Sequence, residues 1–266
     1  DKIQDLSFDK MEGKGFFTKE IEEALLNKKI DLAVHSHKDL ETSSPRGLLI
    51  AAVSEREDPS ELLLIRKDAV NSSNRFSIKE NAIIGTSSAR RKSQLLAFRS
   101  DIKIKELRGN VPTRINKLRE RHYDAIMLAK AGVTRLEIDL SEFHVVTLDP
   151  KEFIPAPAQG VLGLQIREND LELFKLLQQM NDKDVQKRIY IERKVLNLLD
   201  GGCQLPLGVY CEEEYGIMKT WVSQAENAEG IPKRLYTENT SAEEIVELLQ
   251  AKESKRVFIS RELKSD

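Results

Sequence analysis

The chain has 266 residues, with 42 Lys and Arg against 44 Asp and Glu, a formal net charge of −2, and 40% hydrophobic and 32% charged residues. That length and apolar content suffice to bury a core, as one large domain or two to three small ones, and they exclude a disordered chain. No apolar run approaches the roughly 18 residues that span a bilayer, which excludes an inserted membrane protein. The opening, DKIQDLSFDK, carries no signal-peptide pattern, and the two cysteines form no disulfide framework. A reducing cytoplasmic location is therefore expected.

In chain order, apolar periodicity alternates between 2 and 3.6 residues, the pattern of α/β construction. Phe17, Ile21, Ala24 and Leu25 share one helical face, and a short apolar segment at 30–34 follows as a buried strand. Further strands are expected at 62–65, 82–84, 102–107, 125–128, 145–148 and 161–166, with helices at 89–99, 111–121 and 170–180. Val185, Ile189, Val195 and Leu199 form the stripe of a longer helix at 184–199. After Gly201-Gly202 come strands at 205–212 and 217–224 and a helix at 242–252. Two joints, Glu55-Arg56-Glu57-Asp58-Pro59 and Pro155-Ala156-Pro157, suit a chain that leaves one domain, builds another and returns. The expected division is 1–56 with 158–180, then 57–157, then a smaller third unit at 181–266.

The near-zero net charge conceals an asymmetry. Residues 90–121 hold eleven Lys and Arg against Asp101, Glu106 and Glu120, a local excess of +8. A field of that size suits an anionic ligand, although a solvated basic face is the plainer reading of charge alone.

Three strand-to-helix turns sharpen the choice, because ligands of open α/β sheets bind beyond the carboxyl ends of the strands. The first, His35-Ser36-His37-Lys38-Asp39, offers a cation for a carboxylate beside an acid for charge stabilisation. Its H-x-H pair also fits a metal site, but His122 and His144 are the only other histidines and neither stands at a strand end, so no metal is expected. Taken alone, this turn is as well read as an ordinary solvated loop.

The second turn, Gly85-Thr86-Ser87-Ser88-Ala89-Arg90-Arg91, combines a tight bend, capping hydroxyls, free helix N–H groups and two guanidiniums. The third, Arg108-Gly109-Asn110-Val111-Pro112-Thr113-Arg114, repeats the design with Arg108 at the mouth and Arg114 about one helical turn inside. Taken alone, the second turn is equally a capped helix start. Together the three turns imply a polyanionic ligand too large for one turn. Nucleic acid is disfavoured, since Phe98 is the only aromatic between Arg90 and Arg121 and stacking platforms are missing. In Gly201-Gly202-Cys203-Gln204-Leu205-Pro206 the thiol lies in a glycine turn, accessible to modification, whereas Cys211 reads as an inert strand residue.

These residues resemble the porphobilinogen deaminase (hydroxymethylbilane synthase) family. The matching segments are H-S-x-K-D at 35–39, E-R-E-D-P at 55–59, G-T-S-S-x-R-R at 85–91, L-R-G-N-V-x-T-R at 107–114, Y-D-A-I at 123–126, Q-G at 159–160 and G-G-C-Q-L-P at 201–206. The resemblance runs from about Lys10 to the strand around Trp221 and weakens beyond it.

It implies an α/β fold of three domains: two periplasmic-binding-protein-like domains with mixed sheets and flanking helices, and a small α/β domain with an antiparallel sheet. It implies a transferase of tetrapyrrole and haem biosynthesis, monomeric, that adds four porphobilinogen units to a covalent dipyrromethane cofactor and releases hydroxymethylbilane and ammonia. By the same resemblance Cys203 holds the cofactor through a thioether. Ser36, Lys38, Thr86, Ser88, Arg90, Arg91, Arg108, Gly109 and Arg114 bind it. Arg108, Arg114, Gln159, Lys10 and Lys14 serve the substrate, and Asp39 is the catalytic carboxylate, facing the cation left when ammonia departs. No metal is implied.

The family's opening strand and helix, with an R-x-S-x-L-A motif, would precede Asp1, so a few tens of residues are expected to be truncated or unplaced. Leu40-Glu41 stands where Val-Pro is usual, and Ala158 stands in place of a glycine. A second reading, a non-catalytic binding-protein-like module for a small polycarboxylate, uses the same turns.

Overall fold

The computed structural model describes residues 15–199 and 205–251. Lys10, Lys14 and Cys203 lie outside the described residues. Three sheets organise the rest, in a mixed α/β arrangement whose third sheet is separate and purely antiparallel.

The first sheet begins after helix α1 (Gly15–Leu26) with strands β1 (Ala33–Ser36) and β2 (Leu48–Val53). Its third strand, β8 (Leu162–Arg167), arrives only after the second sheet is complete, yet it takes the centre and pairs antiparallel with both neighbours. Between them the chain builds β3 (Glu61–Arg66), β4 (Ile83–Gly85), α2 (Ala89–Phe98), β5 (Lys103–Lys105), α3 (Val111–Arg119), β6 (Ala125–Ala129), α4 (Lys130–Arg135) and β7 (Phe143–Leu148).

The second sheet runs in the order β5-β4-β6-β3-β7, with β4 parallel to β5 and β6, and β3 antiparallel to β6 and β7. Leu62, Leu63, Leu64 and Ile65 are all buried because β3 is covered on both faces. Leu63 and Ile65 pack with Leu95 of α2, while Leu62 and Leu64 pack with Ile115 and Leu118 of α3.

Helix α5 (Leu171–Leu177) closes against the first sheet, and α6 (Lys183–Leu198) crosses to the third, made of β9 (Leu207–Glu214), β10 (Ile217–Gln224) and β11 (Lys233–Glu238). Helix α7 (Ala242–Gln250) completes this unit, its Ile245 and Leu249 meeting Val195, Val209 and Val222. Its start is fixed by a capping box between Ser241 and Glu244.

The structure adds β2, β11 and α4 to the expected elements. It also moves one boundary that matters: the strand expected at 30–34 is β1 at Ala33–Ser36, so His35 and Ser36 lie inside the strand. Alternation then buries Ala33 and His35. The helix expected at 170–180 ends as an α-helix at Leu177 and continues as a 3-10 turn, Gln178–Met180.

Candidate active site

Beyond β1 the chain makes a single 3-10 turn, His37–Asp39. The solvated-loop reading of this segment is corrected, since His35 and His37 are both buried. His35 Nε2 meets Gln165 Oε1 at 2.9 Å, and the His37 ring lies where Gly163 leaves room, an added Cβ there falling 3.1 Å from His37 Cδ2. Burial, reinforced by the positive charge of Arg193, lowers the His37 pKa to about 4. Among the described residues no group of three or more His, Cys, Asp or Glu is placed to hold a metal.

Lys38 and Asp39 are half-buried at the end of this turn. Lys38 Nζ donates to Gln159 Oε1 at 3.1 Å, and Gln159 Nε2 donates to Pro59 O at 2.8 Å. Gln159 is fully buried, so both ends of its amide are engaged within the protein. Burial and then the Arg91 charge lower the Lys38 pKa to about 8, against the opposing pull of Asp39 and Glu61.

The second turn has its glycine bend and capping hydroxyl where the sequence leads one to expect them. Gly85 packs against Tyr123, where a Cβ would come within 2.9 Å of Cδ1. Thr86 is buried and its Oγ1 accepts from Ser88 N at 3.2 Å; Ser88 in turn caps α2 by accepting from Arg91 N at 3.4 Å. The guanidinium forks assigned to a ligand carboxylate are engaged by Glu61. Arg90 Nη2 reaches Glu61 Oε1 at 2.7 Å, and Arg91 Nη2 reaches Glu61 Oε2 at 2.7 Å. Arg90 also donates to Ile154 O at 3.0 Å and Arg91 to Met127 O at 3.1 Å. Burial by itself raises a carboxyl pKa, but Arg91 and Arg90 outweigh it and hold Glu61 at about 2.

In the third turn, Gly109 has φ +117, and a Cβ there would lie 2.8 Å from Thr113 Cγ2. Asn110 caps α3 through Thr113 N at 2.9 Å, and Arg114 Nε donates to Gly109 O at 2.7 Å. Among the described residues the Nη groups of Arg114 donate no hydrogen bond, and the side chain is half-buried. Burial and then Arg91 lower its pKa while Asp39 opposes them, so Arg114 stands within electrostatic reach of the first turn. Arg108 is exposed at the rim, 3.6 Å from Glu106.

Lys38, Asp39, Arg91 and Arg114 therefore stand within electrostatic reach of one another, with Arg90 also acting on Lys38, while Arg108 and, at the end of β1, Ser36 are exposed. Four residues that the sequence did not single out organise the surroundings: Glu61, Arg56, Glu192 and Arg193. Arg56 and Glu192 form a buried pair at 2.6 Å, and Glu192 also accepts from Ala158 N and Cys211 N at 2.7 and 2.8 Å. Arg56 was visible only within a charged joint and the matching segment E-R-E-D-P, with no role of its own, and the two α6 residues only as polar positions beside an apolar stripe. Cys211 is fully buried, and burial pushes its thiol pKa up.

The description "Porphobilinogen deaminase, dipyromethane cofactor binding domain" matches residues 1–175, and "Porphobilinogen deaminase, C-terminal domain" matches residues 186–252. The chain belongs to the porphobilinogen deaminase family. Porphobilinogen deaminase from Bacillus subtilis is 45% identical over 216 residues, covering 79% of this chain and 65% of that protein. The namesake from Sulfurimonas denitrificans is 44% identical over 209 residues, covering 79% and 65%. The chain thus spans about two thirds of the length of these relatives. Among solved structures, an arginine-specific periplasmic binding protein from Salmonella typhimurium is similar at 14% identity and a TM-score of 0.37, covering 65% of this chain and 74% of that one. No helix among the described residues is long and apolar enough to cross a membrane.

Proposed function

We propose that the chain is a hydroxymethylbilane synthase, a cytoplasmic, monomeric transferase that joins four porphobilinogen units head to tail. In each step the aminomethyl carbon of one unit loses ammonia and bonds to the free α-carbon of the growing chain's terminal pyrrole, which gives up its proton as the C–C bond forms. Dipyrromethane, held through Cys203, supplies the first pyrrole terminus. The observation that carries the reading is the convergence of Lys38 and Asp39 from one sheet with Arg91 and Arg114 from another.

The donor set fits a chain of acetate- and propionate-bearing pyrroles. Arg114 holds two unengaged Nη groups among the described residues, and the Lys38 ammonium is depressed first by burial and then by the Arg91 charge, which Asp39 and Glu61 only partly offset. Each entering carboxylate improves that balance. Lys38 and Arg114 take carboxylates directly, with Arg108 at the rim and Thr86, Ser88, Ser36 and the Gly109 backbone as hydrogen-bonding partners. Arg91 contributes its charge, and Arg90 supports it through their shared Glu61. Gln159 acts by orienting Lys38. Asp39 stabilises the positive charge that grows as ammonia leaves and accepts hydrogen bonds from pyrrole N–H groups. Lys10 and Lys14 contribute to substrate capture from the N-terminal segment. The division into 1–56 with 158–180, 57–157 and 181–266 belongs to this proposal.

Intact mass tests it. Protein from cells that make porphobilinogen should exceed its sequence mass by one dipyrromethane, and Cys203→Ser should abolish the excess. Unmodified wild-type chain from such cells would refute the reading.

A further inference from the structure

The turn bearing Lys38 and Asp39 closes only weakly on itself. It is one 3-10 turn of three residues, its N-cap Ser36 makes no side-chain capping bond, and its internal closure, Leu40 N to His37 O, is long at 3.4 Å. Its carbonyls are gathered from far along the sequence. Arg193 of α6 donates to His37 O at 2.9 Å, to Leu40 O at 3.3 Å, and to Glu41 O. A planar guanidinium with its donors in a fixed fork suits a cluster of main-chain carbonyls.

The preceding residue gives this contact its direction. Glu192 is fully buried and accepts from both Nη groups of Arg56, from Ala158 N, and from Cys211 N of β9. The start of the same helix is tied to the first sheet, Asp182 N donating to Val53 O at 3.1 Å. Two adjacent side chains of α6 thus clamp Arg56 and Ala158, which lie on the two connections between the first and second sheets, together with the first strand of the third sheet and the candidate catalytic turn.

We propose that Arg193 is a positioning residue: through the carbonyls of His37, Leu40 and Glu41 it holds Lys38 and Asp39 in place against Arg91 and Arg114, and it links that turn to the third sheet. The proposal rests on the reading of this turn as catalytic. Arg193 does not touch the reacting atoms. Its loss leaves every cation and carboxylate of the site present but less well placed, and a displacement of about 1 Å is enough to cost roughly a hundred-fold in rate.

The test compares wild type, Arg193→Gln, Arg193→Lys and, as a control on the same helix, Arg188→Gln, whose native side chain donates to the Asp184 carbonyl one turn back. Two readouts are taken on the full chain: hydrogen exchange of residues 37–41, and kcat and KM for porphobilinogen on cofactor-loaded protein. Arg193→Gln should speed exchange at 37–41 without a comparable change in the strands of the second sheet. It should lower kcat by about a hundred-fold with little change in KM. Arg193→Lys, which keeps the charge but not the fork, should recover part of the rate, and Arg188→Gln should match wild type. Unchanged exchange at 37–41 would overturn the proposal. So would freed exchange with unchanged kcat, or a rate loss matched by uniform destabilisation of all three sheets. A loaded wild-type chain without turnover would refute the functional reading instead, and the anchoring role would then stand or fall on the exchange of 37–41.

Discussion

Arg91 meets Glu61 through two parallel hydrogen bonds, Nε to Oε1 at 3.1 Å and Nη2 to Oε2 at 2.7 Å, with both side chains almost wholly removed from water. Arg90 shares the same carboxylate, so one anion separates two buried like charges. Removing it leaves both guanidiniums buried and mutually repelling. Breaking a buried ion pair from one side typically costs about 3–5 kcal/mol. Glu61→Gln is therefore expected to lower unfolding stability by that order, read from the urea midpoint at neutral pH. A midpoint equal to wild type would show that the two arginines do not depend on Glu61.

Gly160 marks the crossing of the two joints that connect the first and second sheets. It has φ +91, and a Cβ there would fall 2.2 Å from the carbonyl oxygen of Glu57, whose own N–H donates to Gly160 O at 3.0 Å. Gly160→Ala forces the two joints apart and strains the backbone, and the expected loss is about 2–5 kcal/mol. Thermal unfolding of the variant checks this. An unshifted melting temperature would mean that the joints do not need this close approach.

Much of this architecture was legible because apolar runs report burial directly. The residues of β3 read as a strand from Leu62 to Ile65, and the Ser88 cap follows from hydroxyl groups standing before a helix. The edge strand β11 was not legible, since Lys233–Glu238 leaves most of its side chains exposed and carries no apolar alternation. Glu61 was hidden because its partners stand 29 and 30 residues away in another element. Arg193 was hidden because it binds main-chain carbonyls, which leave no mark in side-chain sequence. Ala158 shows the reverse case: the resemblance expects glycine there, and the backbone has φ +60, a conformation glycine adopts without penalty.

His37 supplies a pH dependence with a defined sign. Its folded pKa is about 4 against an ordinary 6.5, chiefly through burial, and its Nδ1 has no hydrogen-bond partner among the described residues. Between those values the unfolded chain binds a proton that the folded chain refuses. Stability from this group is thus fully present above about pH 6.5 and is lost as pH falls toward 4, by on the order of 3 kcal/mol. Urea midpoints across that interval should fall more steeply for wild type than for His37→Gln. Equal slopes would remove His37 from the account.

Lys38 gives the complementary prediction at high pH. Burial and the Arg91 charge bring its pKa down to about 8, so the unliganded protein loses this ammonium near pH 8. A carboxylate ligand binds the charged form and raises the pKa again. Under the proposed function, affinity of the cofactor-free chain for a pyrrole carboxylate should accordingly be greatest below pH 8 and decline above it, with proton uptake on binding in that upper range. Calorimetry in two buffers of different ionisation enthalpy measures the uptake directly. Lys38→Arg, which stays protonated, should show neither the uptake nor the Lys38-dependent part of the decline. Affinity that stays constant from about pH 7 to about pH 9 in wild type, with no proton taken up, would exclude Lys38 as the group that meets the ligand carboxylate.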